Sequence, residues 1–232
     1  MINIQQQVVE LYLRMPDTII LWFINTQYFY FVCRYAEGTG TVALFSAIRD
    51  IDFLSSTELI CTDYGNHCLR LVDLSPLSLP ETSTFAGNCT VEGNADGHRL
   101  DTALFQYPVQ TEVENKNSAI FVLENYKTLH MIDIITDNVA NLVTFAPSCY
   151  YMKLFGVTQL YFSQRHQITR FNIYTIKEVV AAGKLTQGLA TGTFRQTQFY
   201  HPFGLFPWTR EMDLLLLVAD QQNNRFAVFF TI

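Results

Sequence analysis

Thr62-Asp-Tyr-Gly-Asn-His-Cys-Leu-Arg-Leu-Val-Asp73, followed by Thr82-Ser-Thr-Phe-Ala-Gly-Asn-Cys89, decides how this chain folds. Leu69, Leu71 and Asp73 alternate with the period of two that marks a half-buried strand. Asp63-Tyr-Gly-Asn66 reads as a tight turn, because Asp and Asn side chains bond to nearby backbone and Gly permits left-handed geometry. Ser75, Pro76 and Pro80 mark the next connection. Local reading of the unit gives four short strands, at about Ile48–Leu54, Thr57–Thr62, His67–Asp73 and Glu81–Ala86.

Shifting the sequence by 60 residues brings out a second copy. Ala43-Leu-Phe45 then meets Ala103-Leu-Phe105, Ile60 meets Ile120, and Leu69 meets Leu129. Asp73 meets Asp133, Thr84-Phe-Ala86 meets Thr144-Phe-Ala146, and Cys89 meets Cys149. No gap is needed for this comparison. The unit returns near the C-terminus, where Phe199-Tyr-His-Pro202 is similar to Phe105-Gln-Tyr-Pro108. There Leu217 to Phe226, with Asp220 and Asn223 at its turn, is similar to Ile60 to Leu69. Glycine-rich links precede the copies: Gly93 to Gly97, Gly188 to Gly192, and the shorter Glu37 to Gly40. Two degenerate units, Val8 to Gly38 and Tyr150 to Gly183, fill the gaps with short apolar runs broken by polar turns. Gln5 to Leu13 fits a short helix or a strand equally well.

Four short antiparallel strands, repeated several times, describe the blades of a β-propeller. A lone four-stranded sheet cannot bury both faces, whereas stacked blades bury them against each other. The expected fold class is therefore all-β, a propeller of about five four-stranded antiparallel blades. The expectation is one domain over residues 1–232, with blades near 8–44, 45–104, 105–151, 152–198 and 199–232.

Composition agrees with a packed, strand-rich chain. Hydrophobic residues make up 49% and charged residues 16% of 232 residues, which excludes a disordered chain. Aromatic residues reach 14%, and aromatics favour pleated, half-buried surfaces. The net charge is −6, with 15 basic against 21 acidic residues, so there is little from which to build a phosphate-binding face. Nucleic acid is accordingly set aside as a partner. No apolar run approaches the ~20 residues of a membrane-spanning helix. Residues 1–17 hold one basic residue, Arg14, and no apolar core, so they do not read as a secretory leader.

TDYGNHCLRLVD, TSTFAGNC, the Gly93–Gly97 link and Ala103-Leu-Phe-Gln-Tyr-Pro108 together resemble the NHL repeat family. Its name-giving Asn-His-Leu stands here as Asn66, His67 and Leu69, with Cys68 interposed. The resemblance covers residues 42–108 best, and 109–149 and 188–228 more loosely. The form with one Cys after Asn-His and another after Ala-Gly resembles extracellular NHL repeats, which implies a Cys68–Cys89 disulfide and favours an extracellular location. Neighbouring antiparallel strands also bring cysteines within disulfide reach. Cys149 keeps the second position but Thr128 replaces the first, so Cys149 is expected to be free. Family members usually close six blades. The last unit here stops after its third strand, which implies an outer strand supplied by Ile4 to Leu11 or a place within a longer propeller.

Little in the chain reads as catalytic. There is no Cys-x-x-Cys pair, no His-Glu-x-x-His, no Gly-x-Ser-x-Gly and no phosphate-binding glycine loop. Asp63, Gly65, Asn66, His67, Asp220 and Asn223 are expected to serve turns rather than chemistry. Asn88-Cys-Thr90 matches a glycosylation sequon at Asn88. Amidating lyases, similar in fold, hold a metal on the propeller axis; of His67, His98, His130, His166 and His201, only His201, before Pro202 at an inner strand, is a candidate for such a place. No cofactor is expected. The resulting expectation is a non-enzymatic propeller that binds a protein or other ligand through its blade loops. A metal-dependent lyase or hydrolase and an RNA binder are the alternatives.

Overall fold

The computed structural model describes residues 8–15, 18–25, 34–75, 78–114, 119–192, 196–210 and 213–230. Every regular element in them is a β-strand or a single 3-10 turn. Val8–Met15 (β1) and Thr18–Asn25 (β2) pair along their whole length as a hairpin. Of the segment Gln5 to Leu13, whose sequence signal lies between helix and strand, the described residues 8–13 are strand, and residues 5–7 lie outside the described residues. A first blade comes next: Gly38–Thr39 (β3), Ile48–Phe53 (β4), Glu58–Asp63 (β5), Cys68–Asp73 (β6) and Glu81–Ala86 (β7), ordered β3-β7-β6-β5-β4. The second repeats the plan with Gly97–His98 (β8), Pro108–Glu114 (β9), Ala119–Glu124 (β10), Thr128–Asp133 (β11) and Asn138–Thr144 (β12), ordered β8-β12-β11-β10-β9. The third has Cys149–Phe155 (β13), Gln159–Gln164 (β14), Gln167–Asn172 (β15) and Lys177–Gly183 (β16) in sequence order. The fourth has Pro202–Arg210 (β17), Asp213–Asp220 (β18) and Arg225–Phe230 (β19).

The fold class is that read from the sequence, all-β, a β-propeller of antiparallel blades. The described residues form four blade sheets rather than about five, because among them the first degenerate unit gives a two-stranded hairpin and no four-stranded sheet. In the clearest unit the four expected strands match β4 to β7 to within a residue at each end. The segment assigned to the first degenerate unit contributes the β1–β2 hairpin among the described residues. Residues 8–11, part of the strand expected to complete the last unit, lie in the two-stranded sheet β1–β2, and the fourth sheet has three described strands. Residues 4–7, the start of that expected strand, lie outside the described residues.

The chain divides into two compact units, Met1–Thr111 with Thr136–Val139, and Glu112–Ile135 with Ala140–Ile232. The second shows how blades stack. In β14, Leu160 and Phe162 face a core with Phe121, Leu123, Leu129 and Phe145 from the second blade. Tyr161, between them, faces another core with Phe199, Leu205, Leu216 and Val218 from the link and the fourth blade. One strand of period two thus feeds two cores, which is why the sheet is apolar on both faces. Phe121, Phe162 and Phe171 are fully buried; each such ring stabilises the fold by roughly 2–3 kcal/mol.

The turn between β5 and β6 departs from its sequence reading in one respect. Its left-handed residue is His67, at φ 59°, rather than Gly65. Gly65 is needed for space: its N–H bonds to the Ser46 carbonyl at 2.6 Å, and a Cβ there would lie 2.7 Å from that oxygen.

Candidate functional site

Strands β5, β10, β14 and β18, one in each blade, end on a polar residue, and three of these four residues are held in buried clasps. In the first blade Asp63 is fully buried. Its Oδ1 accepts the Ser46 N–H at 2.7 Å, while Oδ2 accepts Asn66 Nδ2 at 2.8 Å and Arg70 Nη1 at 3.2 Å. Arg70 is equally buried and donates onward to the Leu44 carbonyl at 3.2 Å and the Ala36 carbonyl at 2.9 Å. Its guanidinium lies over the rings of Tyr35 and Phe45, at 4.7 and 5.0 Å. Asn66 also donates to the Arg34 carbonyl at 2.9 Å. The clasp therefore ties the turn to the link before the blade. Burial pushes the Asp63 carboxyl up to about 6 against the pull of Asn66, the Ser46 N–H and Arg70, so it is ionised at neutral pH.

The fourth blade builds the same device. Asp220 accepts the Tyr200 N–H at 2.8 Å, Asn223 Nδ2 at 2.7 Å and Arg225 Nε at 2.8 Å. Asn223 donates to the Gly188 carbonyl at 2.7 Å and Arg225 to the Leu189 carbonyl at 2.9 Å. The arginine has moved, however. Arg225 pairs with Asp220 across the hairpin as Cys68 does with Asp63, so it stands at the cysteine position and from there reaches the carboxylate and the Leu189 and Gln198 carbonyls.

In the second blade the hairpin turn is one residue shorter: Asp63 faces Cys68 across four residues, whereas Glu124 faces Thr128 across three. The gapless shift of 60 sets Asp63 against Leu123. Strand pairing sets it against Glu124, and Arg70 against His130. The clasp survives as a buried Glu124–His130 pair at 2.6 Å. In the third blade Gln164 holds the position and donates to Glu178 Oε1 at 2.8 Å.

Cys68 and Cys89 form a disulfide, with Cα atoms 5.0 Å apart, joining the start of β6 to the residues after β7. Cys61 and Cys149 are free and buried, and burial pushes the Cys149 thiol up to about 12. Cys33 lies outside the described residues. Asn88, of the sequon, is exposed beside the buried, bonded Cys89.

The histidines divide by environment. His67 packs its ring 4.4 Å from Tyr107, and its Nδ1 accepts the Tyr107 N–H at 3.3 Å. His98 pairs with Asp101 at the surface. His201 occupies, in its copy, the place of Tyr107; both have positive φ, 51° and 54°, just before a proline. His166 occupies a hairpin turn as His67 does. The His166 and His201 rings meet at 5.6 Å, nearly perpendicular. Tyr150 lies 5.5 Å from His201, and Tyr200 lies 5.6 Å from His201 and 5.9 Å from His166. His166 is 5% exposed, and its buried Nδ1 has no hydrogen-bond partner among the described residues. Burial, then the charges of Arg165 and His201, hold the His166 imidazole below its ordinary value, against a pull from Asp220. Among the described residues no three His, Cys, Asp or Glu side chains are grouped to hold a metal ion, and no helix is long and apolar enough to cross a membrane. Of this cluster, sequence alone singles out His201. Its partner His166 lies 35 positions away in another turn, and the signal that could have found it is the parallel between the His67–Tyr107 and His166–His201 pairs.

No family model matches the sequence, and no curated protein matches it. Solved structures do match in fold. A Bacteroides thetaiotaomicron protein of unknown function superposes with a TM-score of 0.55 at 13% identity, over 85% of this chain and 44% of that one. An auxiliary nutrient binding protein from Bacteroides ovatus gives 0.56 at 12%, over 80% and 47%. The chain thus spans about half the length of these structures. At such identities the likeness is one of fold.

Proposed function

We propose that this protein is a non-enzymatic NHL-type propeller, an interaction and ligand-binding scaffold that works outside the reducing cytosol. The observation that carries the reading is the use made of the motif's polar residues. Asp63, Asn66, Arg70, Asp220, Asn223 and Arg225 bond to one another inside the blades, and both carboxylates are fully engaged. Recognition then falls to the loops and turns, the usual carriers of binding on a rigid scaffold. The likeness in fold to an auxiliary nutrient binding protein supports the same reading. The Cys68–Cys89 disulfide supports an oxidising compartment, where such bonds persist. A protein or small ligand at the blade loops is the proposed partner; the excess of acidic residues speaks against nucleic acid.

The test is recovery of bound ligand. Purified protein is equilibrated with a mixture of peptides, sugars and organic acids, and what is retained is analysed by mass spectrometry. The reading expects retained molecules to return chemically unaltered. Catalytic conversion of any of them, lost on replacing His201, would overturn it.

A further inference from the structure

The Tyr150, His166, Tyr200 and His201 cluster differs from the polar groups of the clasps and of the first blade's turn. The Asp63 and Asp220 carboxylates each accept from three donors, and His67 Nδ1 is satisfied by the Tyr107 N–H. In the equivalent place, the His201 N–H bonds to the Arg165 carbonyl instead, at 3.3 Å. That leaves His166 Nδ1 buried and unpartnered among the described residues. The Tyr150 and Tyr200 phenols and the His201 imidazole likewise make no hydrogen bond to the described residues. A buried nitrogen left without a partner costs free energy, and a ligand that supplies one recovers it.

The charge of the surroundings says which ligand. Exposed Arg165 stands beside the cluster, and its charge and that of His201 act on His166. The one carboxylate that acts on His166 is Asp220, whose oxygens are already engaged by the Tyr200 N–H, Asn223 and Arg225. Phenol and protonated imidazole groups donate hydrogen bonds. A cluster of donors beside a guanidinium, its neighbouring Asp220 carboxylate already engaged, complements an anion. One full positive charge suits a monoanion better than a dianion. Half-buried aromatic faces suit a ligand with a flat body.

We infer that Tyr150, His166, Tyr200 and His201, with Arg165 at the rim, form a binding site for a small organic carboxylate. This rests on the binding-scaffold reading and adds the class of ligand. The carboxylate sits against Arg165 and the imidazoles, and the body of the ligand packs on the tyrosine rings. Because the bound anion opposes the positive charge beside His166, binding raises the pKa of His166, and affinity increases as pH falls through the titration of His166.

Benzoate is the probe, with benzyl alcohol as its uncharged counterpart. The full chain is titrated at millimolar ligand while the imidazole carbon-bound protons are followed by NMR, assigned with His166→Gln and His201→Gln. Benzoate is expected to shift the His166 and His201 signals saturably and raise the His166 pKa, and benzyl alcohol to do neither. Arg165 is exposed, so Arg165→Gln is expected to fold normally and weaken benzoate by ~5-fold, the scale of one exposed charge pair. An equal response to benzyl alcohol, or none to either probe, would overturn the site. A response to inorganic phosphate or to Zn2+ with none to benzoate would overturn the carboxylate. Failure here is distinct from failure of the scaffold reading, which turns on whether retained ligands come back unaltered.

Discussion

Asp63→Ala tests the clasp where it is most deeply buried. Arg70 and Asp63 both have fully buried side chains. Truncation removes the acceptor of three donors, the Ser46 N–H, Asn66 Nδ2 and Arg70 Nη1. Arg70 keeps its bonds to the Leu44 and Ala36 carbonyls, but its charge is left uncompensated. Breaking a buried pair by removing one partner costs roughly 3–5 kcal/mol, because the surviving charge remains out of water. At ~2–4 °C per kcal/mol for a chain of this size, Tm falls by between ~6 and ~20 °C. Asp63→Asn is no gentler, since its amide turns a donor toward Asn66 and Arg70. Asp220→Ala should cost less, because the Arg225 side chain is 19% exposed and water screens it. The assay is urea and thermal unfolding of the three variants at pH 7.5, followed by circular dichroism. A loss below ~1 kcal/mol for Asp63→Ala, the scale of a surface pair, would refute the reasoning.

Three other outcomes are expected from the same geometry. Reducing the Cys68–Cys89 bond, or replacing both residues by Ser, should lower stability by ~3 kcal/mol, from the loop entropy of a 21-residue separation; equal unfolding midpoints with and without reductant would contradict this. Cys149, pushed up to about 12 and buried, should resist iodoacetamide at pH 8 in native protein and react on unfolding; mass spectrometry of the labelled peptide reads the result. Gly183→Ala should destabilise by more than ~1 kcal/mol, because φ is +93° and a Cβ would lie 2.5 Å from the His166 carbonyl oxygen; an unchanged denaturant midpoint would contradict it.

The blades are legible in the sequence because their causes are local. Alternation at Leu69 and Leu71, with prolines and polar turns on either side, locates strands β4 to β7. The Cys68–Cys89 bond is legible for a related reason, since both residues flank neighbouring strands. The clasps are half legible. Asp63 and Asn66 stand in the turn itself, but Arg70 works by reaching carbonyls at Ala36 and Leu44, and no local pattern records that reach. The second clasp is hidden by a single missing turn residue, which slides Glu124 out of register with Asp63. Gly65 reads as a turn glycine for the wrong physical reason, left-handed backbone instead of close approach to Ser46. His166 and His201 come from separate turns, so their contact needs the three-dimensional repeat to bring it out.

The division of labour between fold and recognition is tested most directly by the affinity of Asp63→Ala for benzoate, measured by calorimetry below its melting temperature. An unchanged Kd beside a lowered Tm is expected, because Asp63 holds a blade and lies outside the proposed site. A lost affinity beside an unchanged Tm would overturn this and place the motif at the ligand.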